Sequence, residues 1–556
     1  MFRKLAALAA CALLAAAAPV TYRIDLTRYF PSVAAEAESR ARVLADAKAF
    51  TASETPATAG ALVHWLQRYD ALLQGLERHD IYVYLRSEEN QQDDADAKAD
   101  DRLGAAEDAI ANRVVEATRQ WGATRIEAWT RHPSLAPYRY LLLHSLAQAG
   151  HRLNAVQARS VAVAVTPVLD SAAGTYKALR KSSATLESNA NAYAALLVAI
   201  ASARNGVARL RGFDGAAPAA YFDRDIDPAS VERTLKAVRA SNAYAQYLAV
   251  AARAPKPGFM PPRYAIGDAL ALVLEAEQPM GAEYAEAYAR LLNPANARLD
   301  ICTAPACDDD GFSVGFSGLE SGVYYGGYDG NVRTVRAVAH ESGHAVHREF
   351  MSRYQPIAAY NRGPSFMFES FAIFNELLFI NHLYERATSD AERAYYLNYF
   401  LDDATFQVFG SAEETEFESA IYRGVDDGTI KTASDFEALN AAVFARYDAA
   451  SATDPATRLY WAHNRLFFTD PLYDVNYLYA GLLTLEYFKQ FESDRGAFAP
   501  RYVALLKNGF NDSPAALERH FLGIDLGDEP ALVADASALI GARTSALAKL
   551  YPSTAP

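Results

Sequence analysis

The sequence predicts a mainly helical protein, and three observations carry that expectation. Apolar residues recur at spacings of three and four through long Ala/Leu/Arg/Glu stretches, at 36–50, 103–121, 155–180, 189–210, 231–254 and 282–292. The regularity lapses in one glycine- and aromatic-rich segment, 311–330, where a small β element is expected. Half of the 556 residues are apolar, enough for a large core and about two to four structural lobes.

The first twenty residues read as a signal peptide. Phe2-Arg3-Lys4 gives a basic start, and Leu5 to Ala18 is an apolar run too short for a membrane span of about twenty residues. Leu8-Ala9-Ala10-Cys11 also resembles a site of lipoprotein cleavage, although only six apolar residues precede the cysteine. Ordinary cleavage near Ala16 to Ala18 and lipid attachment at Cys11 both put the mature chain outside the cytoplasm, periplasmic or secreted. No transmembrane span is expected in the mature chain.

Residues 21–295 are expected to form an N-terminal helical lobe, and 296–556 a catalytic region. Proline-rich breaks at 255–262 and around 293–311 separate them. The acidic run between Ser87 and Arg102 reads as a solvated helix or linker surface with no assigned chemistry. A net charge of −14 and a pI of about 5.4 oppose nucleic acid or an anionic membrane as the main partner. Without Cys11, the remaining cysteines are Cys302 and Cys307, which in an oxidising compartment suit a short-loop disulfide better than a second metal site.

The segment from Gly311 to Gly330 alternates aromatic, small and β-branched residues, which predicts a strand or two. An exposed strand edge there could pair with an extended peptide; an ordinary hairpin packed on helices fits equally well. Next comes His340-Glu341-Ser342-Gly343-His344, among apolar residues with helical spacing from Val332 to Phe350. A helix advances about 100° per residue, so the two histidines stand about 40° apart on one face and can hold one metal ion. Glu341 points to the side, where it can act as base on a water at the metal. His347, one turn on, reads as a supporting or surface residue.

Two histidines leave a catalytic zinc one protein ligand short. Beyond the break at Asn361-Arg362-Gly363-Pro364, Ser365 can cap a helix rich in Phe, Ile and Leu that carries Glu369 and Glu376 on one face. Carboxylates on so apolar a helix need partners. Glu369 as third metal ligand and Glu376 as acceptor for a ligand histidine N–H would supply them.

These positions resemble the thimet oligopeptidase and oligoendopeptidase F family of zinc metallopeptidases. That family follows H-E-x-G-H with a glutamate 29 residues after the first histidine and another seven further on, matched by His340, Glu369 and Glu376. Ala372-Ile373-Phe374-Asn375-Glu376 and Tyr82-Val83-Tyr84-Leu85-Arg86 are most like the oligoendopeptidase F branch. The resemblance implies two helical lobes enclosing a deep substrate channel that admits unfolded oligopeptides and excludes folded proteins. It also implies one Zn²⁺ per chain. Family tyrosines on a later helix face the metal, which makes Tyr473 and Tyr477 candidate oxyanion donors and Tyr479 a candidate substrate-binding residue.

One departure precedes those tyrosines. Relatives often carry a histidine about five residues upstream, whereas this chain has Phe468 and Thr469, with His463 out of register. The expected activity is zinc-dependent endopeptidase cleavage of short unfolded peptides. A peptidyl-dipeptidase or carboxypeptidase on a related helical fold is the alternative within enzymes. A zinc-containing peptide-binding protein with little turnover is the alternative outside them.

Overall fold

Helical spacing becomes helix almost wherever it occurs in the computed structural model, which describes residues 22–89, 94–254, 258–303, 310–448, 453–455 and 457–551. The expected segments 36–50, 189–210 and 282–292 appear as Val33–Thr51, Leu186–Leu210 and Ala282–Leu292. Two longer expectations divide. The stretch 155–180 breaks at Val165, before Pro167, whose missing N–H suits the first turn of a new helix. The stretch 231–254 breaks at Ser241, where the backbone turns extended at φ −78° and ψ 141°.

Two hydrophobic cores form, and they part near residue 150 rather than at the expected boundary of 295. The smaller gathers Val33–Thr51, Ala59–Glu89, Asp94–Trp129 and Arg139–Ala149 around Phe50, Trp65 and Trp121. It also takes in Val314, Phe316 and Tyr360 from the motif-bearing part of the chain. The larger core runs from Ala172 to Leu547 and therefore includes much of the segment assigned to the N-terminal lobe. Tyr284 shows why: its ring lies 6.1 Å from Phe350 and its hydroxyl donates to Asn375 Oδ1 at 2.9 Å. Each aromatic side chain fully buried in such a core contributes about 1.5–3 kcal/mol.

The expected β element is a three-stranded sheet. β1 (Leu299–Ile301), β2 (Gly311–Val314) and β3 (Gly322–Tyr325) lie in the order β1-β3-β2, with β3 parallel to β1 and antiparallel to β2. β2 is thus an edge strand. Three-residue β1 is too short to announce itself by alternation. Cys302 follows it and is disulfide-bonded. Cys307 lies outside the described residues, as do Cys11 and the signal segment 1–20.

One helix, Glu529–Leu550, is long and apolar enough to cross a membrane by length and composition. Its Leu532, Val533, Ala536, Ile540 and Leu547 are buried in the larger core.

Candidate metal and catalytic centre

The motif helix spans Val332–Tyr354 and is capped by the Asn331 side chain, which accepts from Thr334 N. The glutamate helix spans Ser365–Arg386; Pro364 occupies its cap position, so Ser365 begins the helix without capping it. The two helices meet closely at Gly343. A Cβ there would stand 2.6 Å from Asn375 Nδ2 and 3.1 Å from Ala372 Cα. Glycine, a mild liability inside a helix, is what lets these helices approach.

Close approach brings His340, His344 and Glu369 together, with one donor atom from each lying within 4.8 Å of the others. Glu369 Oε2 is 3.5 Å from His340 Nε2 and 3.8 Å from His344 Nε2. Ligands about 2.0–2.2 Å from a tetrahedral zinc stand at comparable separations from one another. Glu369 Oε2 is buried and has no hydrogen-bond partner, which leaves it free for a cation. The donor set fits a zinc ion.

Behind the ligands, His340 Nδ1 and Glu376 Oε1 are 2.5 Å apart, with the ring nitrogen as donor when protonated. Glu376 Oε2 lies 3.1 Å from Arg336 Nε, and Arg336 Nη1 donates to Asp403 Oδ1 at 2.6 Å. Burial opposes ionisation of Glu376, but Arg336 and His340 hold its carboxyl below the usual range. Burial also opposes charging His340, yet Glu376 and the neighbouring carboxylates carry it up to about 10. The carboxylates around His340 therefore favour positive charge here, as a cation site should. Nothing in the motif spacing singles out Arg336 or Asp403. Arg336 precedes His340 by four residues and so shares its face, which is the one signal that could have found it.

Burial, opposed by His340 and aided by Glu369 and Asp310, pushes Glu341 up to about 7. Its side chain faces β2: a Cβ on Gly311 would lie 3.3 Å from Glu341 Cγ and Oε1. His344 is held well below its ordinary value by burial and by His340. His347 is not a surface residue. It is 1% exposed among Phe368, Phe371 and Phe510, with ring centroids 5.1, 4.6 and 5.6 Å away, and serves as core packing.

The tyrosine helix spans Asp474–Ser493, beginning three residues after Pro471. Tyr473 at its cap donates to Glu369 Oε1 at 2.8 Å. Tyr477 lies beside it, ring centroids 5.4 Å apart. Burial raises the Tyr477 phenol well above its ordinary value, helped by Glu369. Burial and Glu369 raise the Tyr473 phenol likewise, so both phenols stay neutral and keep a proton to donate. Tyr479 points elsewhere: its hydroxyl meets Ser230 Oγ at 2.6 Å and Thr234 Oγ1 at 3.2 Å. Two helical residues apart is about 200°, so Tyr477 and Tyr479 cannot share a face. Tyr479 instead lines a cavity of about 630 Å³ with Tyr140, His144, Phe222 and Phe366. Phe468, at the family's histidine position, stacks on Tyr176 at 4.1 Å within the core, and His463 is exposed.

Residues 327–534 match the profile of peptidase family M3. A plasmid-borne oligoendopeptidase F of Lactococcus lactis subsp. cremoris is 29% identical over 157 residues, covering 26% of this chain and 26% of the relative. The matched segments span about a quarter of the length of the curated relatives. Among solved structures, a Chlamydophila abortus protein assigned as a peptidase superposes with a TM-score of 0.75 at 19% identity, covering 95% of this chain and 98% of the other. Oligoendopeptidase-F from Enterococcus faecium gives 0.63 at 17% identity, covering 92% and 98%. At these identities the superpositions speak for the fold. The stretch from 327 to 534 that matches peptidase family M3 holds the two histidines, both glutamates and the tyrosine pair, so the similarity to this family covers the whole of the candidate site.

Proposed function

We propose that this protein is a zinc-dependent endopeptidase that hydrolyses short unfolded oligopeptides. The observation that carries the proposal is the gathering of His340, His344 and Glu369 around the unpartnered Glu369 Oε2, with Glu341 alongside. A zinc ion held by these three side chains would polarise the scissile carbonyl and acidify a water. Glu341, its carboxyl raised to about 7, takes a proton from the attacking water and delivers it to the leaving amine. Tyr473, with Tyr477 beside it, would turn its one O–H from Glu369 Oε1 to the carbonyl oxygen and donate to it as negative charge builds there. Glu376 fixes the orientation of the His340 ring through Nδ1. The β2 edge, next to Glu341, suits an extended peptide backbone. Export through the segment 1–20, with or without a lipid on Cys11, is the expected address.

Glu341→Gln tests the assignment. The variant should keep one zinc per chain by metal analysis and lose turnover by about 10²- to 10⁴-fold, the range for a general base. Unchanged turnover in purified, zinc-loaded variant would reject it. Peptides blocked at both ends should still be cut. Failure on those alone would favour a peptidyl-dipeptidase or carboxypeptidase, and zinc binding without cleavage of any peptide would favour a binding protein.

A further inference from the structure

Leu472, immediately before Tyr473, has φ +63°, one of three non-glycine residues with positive φ among those described. Of the three it is a buried aliphatic side chain, 3% exposed, in a region that L residues with bulky side chains avoid. Something must hold it there. Its N–H donates to Glu418 Oε1 at 2.7 Å, across 54 residues of sequence, from the buried face of the helix Ser411–Asp426.

Glu418 has no catalytic task in the mechanism above. It is 2% exposed, and burial raises its carboxyl to about 8, with the Leu472 N–H and the charges of Arg204 and Arg224 pulling it back. Arg224 also stands 3.9 Å from Asp470 and 5.9 Å from the Tyr473 ring, so the same group of side chains surrounds the turn on both sides. Directly after the turn, Tyr473 reaches Glu369. If the Leu472 backbone relaxed to negative φ, the peptide leading into Tyr473 would rotate and carry the phenol with it.

We propose that Glu418 is a positioning residue for Tyr473: by accepting the Leu472 N–H it holds the left-handed turn that aims the phenol at the metal group. The proposal rests on the reading of Tyr473 as the oxyanion donor. Glu418 bonds to the Leu472 N–H and not to the metal group, so its effect is expected in kcat, with KM and zinc content unchanged.

A double-mutant cycle tests it on the full-length, zinc-loaded protein. Tyr473→Phe should lower kcat by about 10²- to 10³-fold, as for loss of one oxyanion donor. Glu418→Met, similar in volume but without an acceptor, should lower kcat by about 10- to 100-fold, the cost of a misplaced group. The double variant should be no slower than Tyr473→Phe alone, since the phenol is already gone. Glu418→Gln keeps an acceptor oxygen and should retain kcat within about threefold. Multiplying losses in the double variant, lost zinc in Glu418→Met, or undiminished kcat in that variant beside an impaired Tyr473→Phe would overturn the proposal while leaving the tyrosine's role intact. Full activity of Tyr473→Phe would instead overturn the tyrosine reading and this proposal with it. Should Glu418→Met not fold, Glu418→Gln still decides: retained kcat supports the clamp, and a loss as deep as that of Tyr473→Phe rejects it.

Discussion

At the scale of single residues, the centre is a chain of alternating charge from Asp403 through Arg336 and Glu376 to His340. Each member is buried or half-buried, so each relies on its neighbour to be charged at all. With a metal bound at His340, Glu376 would contribute twice: it would fix the His340 tautomer and raise the basicity of the ring. Glu376→Ala is expected to weaken zinc binding by about 10- to 100-fold, read by titration against a competing chelator. An unchanged affinity would reduce Glu376 to a purely structural partner of Arg336. The sequence spacing of Glu369 and Glu376 made both legible as a pair on one helical face. It could not reveal Asp403, which reaches the site from a different helix.

At the scale of elements, the site depends on how closely the motif and glutamate helices approach. Gly343 is the contact point, and a methyl group there would collide with Asn375 and crowd the Ala372 backbone. Gly343→Ala, favourable in an isolated helix, should therefore destabilise this protein by about 1–3 kcal/mol. A lowered melting temperature together with reduced zinc affinity would confirm that the spacing matters to the metal group. A rise in stability would show that the helices can separate freely. A second close contact supports the tyrosine helix: a Cβ on Gly481 would lie 2.7 Å from Gln407 Cβ, in the π-helical turn Phe406–Gly410. Helix period and caps made most elements legible, but Leu472 disguised the start of the tyrosine helix. Asp470-Pro471 is a sound local start signal, yet the helix begins at Asp474, after the turn at Leu472 whose N–H donates to Glu418.

At the scale of the whole molecule, buried carboxyls set the response to pH. Burial pushes Glu413, Glu418 and Glu518 up to about 8 from an ordinary value of 4.5. Between those values the folded state keeps protons that the unfolded chain has lost, so their stabilisation is full below 4.5 and is lost as pH rises through about 8. His344 and His347, held neutral by burial, oppose this only below their ordinary 6.5. The melting temperature should accordingly fall as pH rises from 6.5 to 8. Glu518→Gln, which keeps an acceptor for the Tyr487 hydroxyl, should flatten that slope. A flat or rising wild-type profile over that interval would contradict the assignment.

The sequence by itself determined what is local: helices from period and caps, two histidines one turn apart, and two glutamates seven apart on a shared face. Those relations follow from the geometry of one helix and need no knowledge of the rest of the chain. Tertiary structure decided which elements share a core, placing residues 172–292 with the catalytic helices. It also turned His347 into packing, sent Tyr479 toward Ser230, and brought Arg336, Asp403 and Glu418 to bear on the centre. These outcomes depend on close packing between segments far apart in sequence, where a glycine, a strained turn or a single buried bond fixes which way a side chain faces.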